Sequence, residues 1–436
     1  MSSTNSNSPS NAINAKNLIN AINVNKSIAQ RVASNFGWSV VSEAIGKGVF
    51  FFTNIYLART LGVSNYGLFT LAQTITYYFW LGVDLGTNMY GIREIAKDKE
   101  NAESIVNTLL TIRLAAGTII FTLYAFFLFL YNMPILYKLT FVGCGLYLLT
   151  YAFYTDWVLK GLEKFRLIAF GSFVSSLTFL IGILILVKNK DHVIIASVIW
   201  SISFLIGGIS LFFVLYKKLN IKYKPSFQLK IWLLHLKESI HFTIAGGLSI
   251  AYQYLPILLL GILFSKHDIG IFSVSYRTIS SFSAPGFLVA TALYPTVSEL
   301  YYKDKKEFKR TGKNFLILMF ALGLPVGFLG FIFGDKIILI LFGSKYMDSI
   351  IIFRILIWLI PLQFIRYKYS TSLRSTEYQK LQFIPIIIGL ITLSIFVLIF
   401  PKKLKYLAVA STLAEFSLVI GYIGISKMTY NRKSFF

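Results

Sequence analysis

YLARTLGVSNYGLFTLAQTITYYFWLGVDLGTNMYGIREI, residues 56–95, decides how this chain folds. It carries the end of one apolar helix through a short Gly/Ser/Asn turn into a second apolar helix. It then leaves that helix through Asp84, Gly86 and Gly91 into a basic segment. A degraded copy follows about two hundred residues later, where Gly67, Leu68, Phe69, Thr70 and Leu71 are echoed by Gly270, Ile271, Phe272, Ser273 and Val274. The chain is therefore read as two similar halves, the internal symmetry common in membrane carriers built from repeats.

Composition narrows the class. Hydrophobic residues make up 56% of the 436 positions and charged residues 14%, and the mean hydropathy is +0.68. A chain this apolar cannot cover a water-facing globule, so it is an all-α polytopic membrane protein. The net charge of +24 is scattered through short connections rather than gathered on one solvated domain, which argues against nucleic acid and for anionic lipid headgroups. Cys144 is the single cysteine and lies in an apolar run, so disulfides and cysteine-based metal sites are excluded. The Ser/Asn-rich start lacks the apolar core of a signal peptide and is read, over residues 1–33, as a disordered cytoplasmic tail.

Runs long enough to cross about 30 Å of hydrocarbon need roughly 18 or more apolar residues. Twelve such runs are expected, at 36–58, 66–84, 106–131, 136–157, 167–187, 193–216, 239–264, 269–295, 314–334, 349–365, 381–400 and 406–426. Of the 42 Lys and Arg residues, 28 fall in one alternating set of connections and 10 in the other. That bias places both termini in the cytoplasm and requires an even number of spans. The basic linker 217–237, with Pro225, divides the chain into six-helix lobes at 34–216 and 238–427, leaving 428–436 as a cytoplasmic tail. Short loops leave no room for the extramembrane domain that a membrane glycosyltransferase or polymerase uses to hold its donor. Pro256, Pro285, Pro325, Pro361 and Pro385 all fall in second-half helices, so that half is expected to bend more. Gly323 and Gly327 form a small-residue step read as internal packing.

With these features in place, YLARTLGVSNYGLFTLAQTI and GIREIA resemble the opening of the polysaccharide-biosynthesis flippases, the Wzx or PST-type branch of the MOP (multidrug/oligosaccharidyl-lipid/polysaccharide) exporter superfamily. ILFGSKYMDSIIIFRILIWLIPLQFI at 340–365 and GIFSVSYRTI at 270–279 are similar to later signatures of that branch, and the resemblance runs from about Ala33 to the C-terminus. It implies a MATE/MOP-like fold of twelve helices in two lobes. It also implies alternating access and movement of a polyprenyl-pyrophosphate-linked oligosaccharide from the cytoplasmic to the outer leaflet of the plasma or inner membrane. Expected partners are that glycan, membrane lipids, and polysaccharide polymerase or assembly proteins. A cation-coupled drug or small-molecule antiporter of the same superfamily is the alternative, but it needs acids lining the cavity, whereas these helices carry Lys and Arg at least as prominently.

Such a cargo needs a wet cavity, cations for its phosphates and a side opening for its tail. The cations inside the expected helices are Lys47, Arg113, Arg277 and Arg354, each costly in lipid unless it faces protein or a cavity. Arg277 leads, because its repeat counterpart is Thr74, its own helix offers no local acid, and a guanidinium suits bidentate phosphate contact; a structural bridge between helices is the competing reading. Lys47 lies four residues after Glu43, either as a self-neutralising pair or as one opened by an anionic headgroup. For Arg113 and Arg354, snorkelling to the headgroups competes with cargo contact. Tyr252 and Gln253, beside Pro256, are candidate sugar contacts.

Glu43, Asp84 and Glu415 are the candidate acids for coupling to H⁺ or Na⁺. Glu415 either exchanges a proton, helps hold Na⁺, or pairs with a base such as Arg354. Asp84, like Asp156, sits near a helix end with Arg93 or Lys160 as the expected partners. The four histidines lack metal-site spacing, and GKGVFF at 46–51 lacks the second Gly and the Lys-Ser/Thr pair of a nucleotide loop. No catalytic residue, metal or organic cofactor is therefore assigned, and the chain is not expected to be an enzyme.

Overall fold

The computed structural model describes the backbone of residues 9–432, and side chains from 37 to 429 apart from Ser39, Ser42, Glu43 and Ala245. All regular structure among the described residues is helical. The order is α1 (Pro9–Asp84), α2 (Thr87–Lys97), α3 (Ala102–Leu130), α4 (Ile135–Gly145), α5 (Tyr147–Thr150), α6 (Asp156–Gly161), α7 (Phe165–Leu186) and α8 (Val193–Lys218), followed by α9 (Leu229–Leu263), α10 (Lys266–Phe282), α11 (Ala284–Lys303), α12 (Lys305–Ile332), α13 (Gly334–Phe342), α14 (Ser349–Leu356), α15 (Leu359–Arg374), α16 (Phe383–Ile399) and α17 (Leu404–Arg432). Helix begins at Pro9, inside the segment read as a tail. The irregular part of the central linker is confined to residues 219–228.

The Gly/Ser/Asn turn of the deciding stretch shrinks to one residue. α1 runs as 76 residues of helix broken at Gly62, with φ 71° and ψ 171°. Nothing lies within 4 Å of the position its Cβ would take, so the left-handed φ alone requires glycine there. α1 ends at a second break, where Leu85 and Gly86 have φ of 47° and 72°. The Gly86 N–H donates to Asp84 Oδ2 at 3.2 Å, and the Thr87 hydroxyl donates to the Asp84 carbonyl at 2.5 Å.

The repeat is visible as a contact. A Cβ on Gly67 would fall on the carbonyl oxygen of Lys266, and one on Gly270 would fall on that of Val63. Gly67 lies 203 positions before Gly270, and Val63 lies 203 positions before Lys266. The two halves thus cross backbone to backbone at the glycines the sequence duplicates.

Nine helical segments among the described residues are long and apolar enough to span a bilayer. They coincide with nine of the twelve expected runs. The other three are the two parts of α1 on either side of the Gly62 break and the region 269–295, interrupted at Ser283 between α10 and α11. Phe127, Leu130, Ile185 and Leu398 point outward, Leu398 being 84% exposed, an arrangement suited to lipid and not to water. Cys144 is fully buried.

Two packing expectations are refined. Pro285, Pro361 and Pro385 lie in the first turns of α11, α15 and α16, where a missing N–H costs nothing; the prolines inside helices are Pro256, Pro295 and Pro325. Gly323 and Gly327 face Pro361 of α15, with Cβ positions 3.1 and 3.3 Å from its atoms, which is the internal packing the spacing suggests.

Candidate functional site

Arg277 projects from α10 toward α1, on the opposite half of the chain. Its Nη1 donates to Asn54 Oδ1 at 2.7 Å and its Nη2 to Gln73 Oε1 at 2.6 Å. The two acceptors flank the Gly62 break, so the break sets the angle at which they converge. Asn54 Nδ2 donates to the Phe50 carbonyl at 2.7 Å, which aims the amide oxygen at the arginine. The rings of Phe50 and Tyr66 lie 5.9 Å from the guanidinium carbon. No carboxylate pairs with Arg277 among the described residues, and Gln73 Nε2 is buried without a partner. Neutral amides therefore fix the guanidinium and leave its charge uncompensated.

Beside it lies an aromatic wall. Tyr77 of α1 stacks on Tyr254 of α9 at 4.7 Å, joining the halves, and meets Tyr147 and Trp200 edge-on at 5.7 Å. A cavity of about 300 Å³ opens between α1, α7 and α8, lined by Lys47, Phe50, Tyr77, Ser172, Ser175 and Trp200 among others. Phe50 belongs both to this cavity and to the floor beneath Arg277. The Lys47 ammonium stands 4.9 Å from the Phe287 ring centroid. The Glu43 side chain lies outside the described residues, so the expected Glu43–Lys47 pair does too.

The other expected residues are placed elsewhere. Arg113 does not snorkel: it is fully buried, 3.8 Å from Asp84 Oδ1 and 5.8 Å from the Tyr151 ring centroid. Asp84 therefore pairs with Arg113 rather than with Arg93 or Lys160. Arg93 reaches Glu94 and Glu238 at 2.7 and 3.2 Å, and Lys160 reaches Asp156 at 2.5 Å. Arg354 is half-exposed and lies 3.7 Å from Asp335. Glu415, 2% exposed, is held by Arg366 Nε at 2.6 Å and by the Tyr252 hydroxyl at 2.6 Å, so its partner is Arg366 and not Arg354. Tyr252, a candidate sugar contact, donates its hydroxyl to that carboxylate. Gln253 is exposed, and its carbonyl accepts from Tyr276 at 2.9 Å.

Three residues escaped the sequence reading. Asn54 and Gln73 are amides inside apolar runs, a signal weaker than a charge. Arg366 was read as loop because the apolar run stops at Ile365, whereas α15 continues through Tyr367 and Tyr369 to Arg374.

Spanning helices, a cation with no carboxylate partner among the described residues and the surrounding aromatic surface mark a multi-pass membrane protein with a polar chamber between its two repeats. The family model described as "Polysaccharide biosynthesis protein" matches residues 32–301, and one described as "MatE" matches 244–400. This chain belongs to the polysaccharide biosynthesis protein family. It is 23% identical over 354 residues to a protein of Escherichia coli strain K12 named "Putative O-antigen transporter", covering 79% of this chain and 84% of that one. A Shigella flexneri protein of the same name is 22% identical over 346 residues, covering 72% and 78%. Among solved structures, the lipid II flippase MurJ in an inward closed conformation superposes with a TM-score of 0.71 at 16% identity, covering 89% of this chain and 87% of that one. An inward-facing MATE multidrug resistance transporter of the MOP superfamily superposes with a TM-score of 0.70 at 14% identity, covering 91% and 99%.

Proposed function

We propose that this transporter moves a polyprenyl-pyrophosphate-linked oligosaccharide from the cytoplasmic to the outer leaflet by alternating access of its two halves. One observation carries the reading: Arg277 is oriented by Asn54 and Gln73 and neutralised by neither. An anionic headgroup entering between the halves supplies the missing charge, and the guanidinium offers it a planar pair of donors. The aromatic wall around Tyr77 and Tyr254 offers flat faces to sugar rings, and the relatives named for O-antigen transport support a glycan cargo.

The reading includes twelve spans in two six-helix lobes with both termini cytoplasmic, supported by the distribution of basic residues and by the nine apolar segments already matched. It includes coupling to H⁺ or Na⁺, in which Asp84 and Glu415 trade their arginine partners for the ion, and delivery to polysaccharide polymerase or assembly proteins.

Proteoliposome flipping of a lipid-linked oligosaccharide tests the central claim. Arg277→Gln should abolish flipping with normal membrane insertion, and Arg277→Lys should retain part of it. Wild-type flipping by Arg277→Gln overturns the phosphate-docking role.

A further inference from the structure

The two halves treat one groove in opposite ways. In the first half, residues 219–228 fold back along α3: the backbone N–H groups of Lys222, Lys224 and Ser226 donate to Glu103, Asn107 and Thr111 at 3.5, 2.7 and 3.1 Å. The Tyr223 hydroxyl meets Thr111 at 3.0 Å and its ring packs on Phe212 of α8. The linker thus fills the space between α3 and α8.

α12 begins 203 residues after α3, and the positions equivalent to Glu103, Asn107 and Thr111 are Lys306, Arg310 and Asn314. At the first two of these positions an acceptor has become a cationic donor, and at the third one hydrogen-bonding group replaces another. At this place lies a groove of about 790 Å³ drawn from α11, α12, α15 and α17. Lys305, Lys306, Lys309, Lys313, Lys368 and Lys427 line it over an apolar floor that includes Phe308 and Leu316, and no carboxylate lines it among the described residues. Lys305, Lys306, Lys313, Lys368 and Lys427 form no ion pair among the described residues. The Lys368 ammonium lies 3.8 Å from the Tyr369 ring centroid, and its stem crosses Gly312, whose Cβ position is 3.9 Å from Lys368 Cε. The Ser426 hydroxyl, at the wall, is buried without a hydrogen-bond partner.

We propose that this groove binds the phosphate headgroup of an acidic glycerophospholipid, with an acyl chain along the apolar floor. A chain segment suits the first-half groove because its N–H groups meet acceptors; the second-half groove presents ammonium donors and calls for an occupant rich in acceptors and negative charge. The apolar floor selects a lipid over free phosphate. All lining residues belong to one half, away from Arg277, which separates this site from the cargo's path.

The test uses the purified full chain in phosphatidylcholine nanodiscs containing a minor fraction of phosphatidylglycerol, with retained lipid read by native mass spectrometry. The triple variant Lys306→Gln, Lys313→Gln, Lys368→Gln should retain at least about tenfold less phosphatidylglycerol, each lysine near a headgroup being worth close to a factor of five. The matching triple arginine variant should retain wild-type levels, which separates lost charge from lost fold. Arg277→Gln should leave retention unchanged, so failure of the cargo reading does not pass for failure here. Equal retention by the glutamine variant overturns the proposal. So does displacement of the lipid by inorganic phosphate at equal concentration, or preferential binding of farnesyl pyrophosphate in place of phosphatidylglycerol, which would assign the groove to the cargo.

Discussion

At Arg277 the choice of amides over acids is the chemistry. Asn54 and Gln73 spend their oxygens on geometry, whereas a carboxylate at either position would cancel the charge that the proposed phosphate cargo needs. Asn54→Asp keeps the shape and adds an anion, and a unit charge about 4 Å away is worth about 4 kcal/mol at an effective dielectric of about 20. Flipping in proteoliposomes should therefore fall at least about tenfold in Asn54→Asp while folded yield holds; unchanged flipping would mean that the charge of Arg277 is irrelevant. Glu415 shows the opposite arrangement. Removing it as Glu415→Leu strands the largely buried Arg366 and should cost about 3 kcal/mol in unfolding free energy, with recovery in the double variant Glu415→Leu, Arg366→Met, read by thermal unfolding in detergent. Arg277 was legible because a charge in an apolar run stands out and its repeat counterpart is a threonine. Its amide partners were not, since uncharged polar residues recur throughout membrane helices, and which of them converge depends on a backbone break that sequence periodicity does not resolve.

Among the helices, the Gly67–Gly270 crossing is the tightest joint between the halves. Gly67→Ala and Gly270→Ala each place a methyl on a backbone carbonyl, which cannot rotate away. Each should lower unfolding free energy by more than about 2 kcal/mol. Gly246→Ala is the control, since its Cβ meets nothing within 4 Å and helix propensity alone should make it neutral or stabilising by up to about 1 kcal/mol. Equal melting temperatures for all three would show that the crossing is loose. The duplicated glycines could be read from sequence as a repeat, yet not as a mutual contact, because repetition says nothing about which face meets which. Hydropathy likewise located the apolar runs but not the helix boundary at Ser283, where serines and Pro285 interrupt a run that was read as one span.

In the whole molecule the halves touch at both ends of the Arg277 chamber. At one end stands the glycine crossing. At the other, the Ser239 hydroxyl donates to the Leu85 carbonyl at 2.8 Å, Arg93 reaches Glu238, and the Tyr90 hydroxyl meets His235 Nδ1 at 2.8 Å. The alternating access proposed above requires the second set to part for loading. Joining Tyr90→Cys to His235→Cys with a short, reducible cross-linker should stop flipping and reduction should restore it; a linked protein that still flips would show that this end does not open. The experiment is easier than usual for a membrane carrier because of Cys144. Sealed from solvent on every side, that lone sulfur leaves the native polypeptide silent to maleimides and thiosulfonates, so reporter thiols can be installed without first stripping the background and every label that attaches marks a site the experimenter chose.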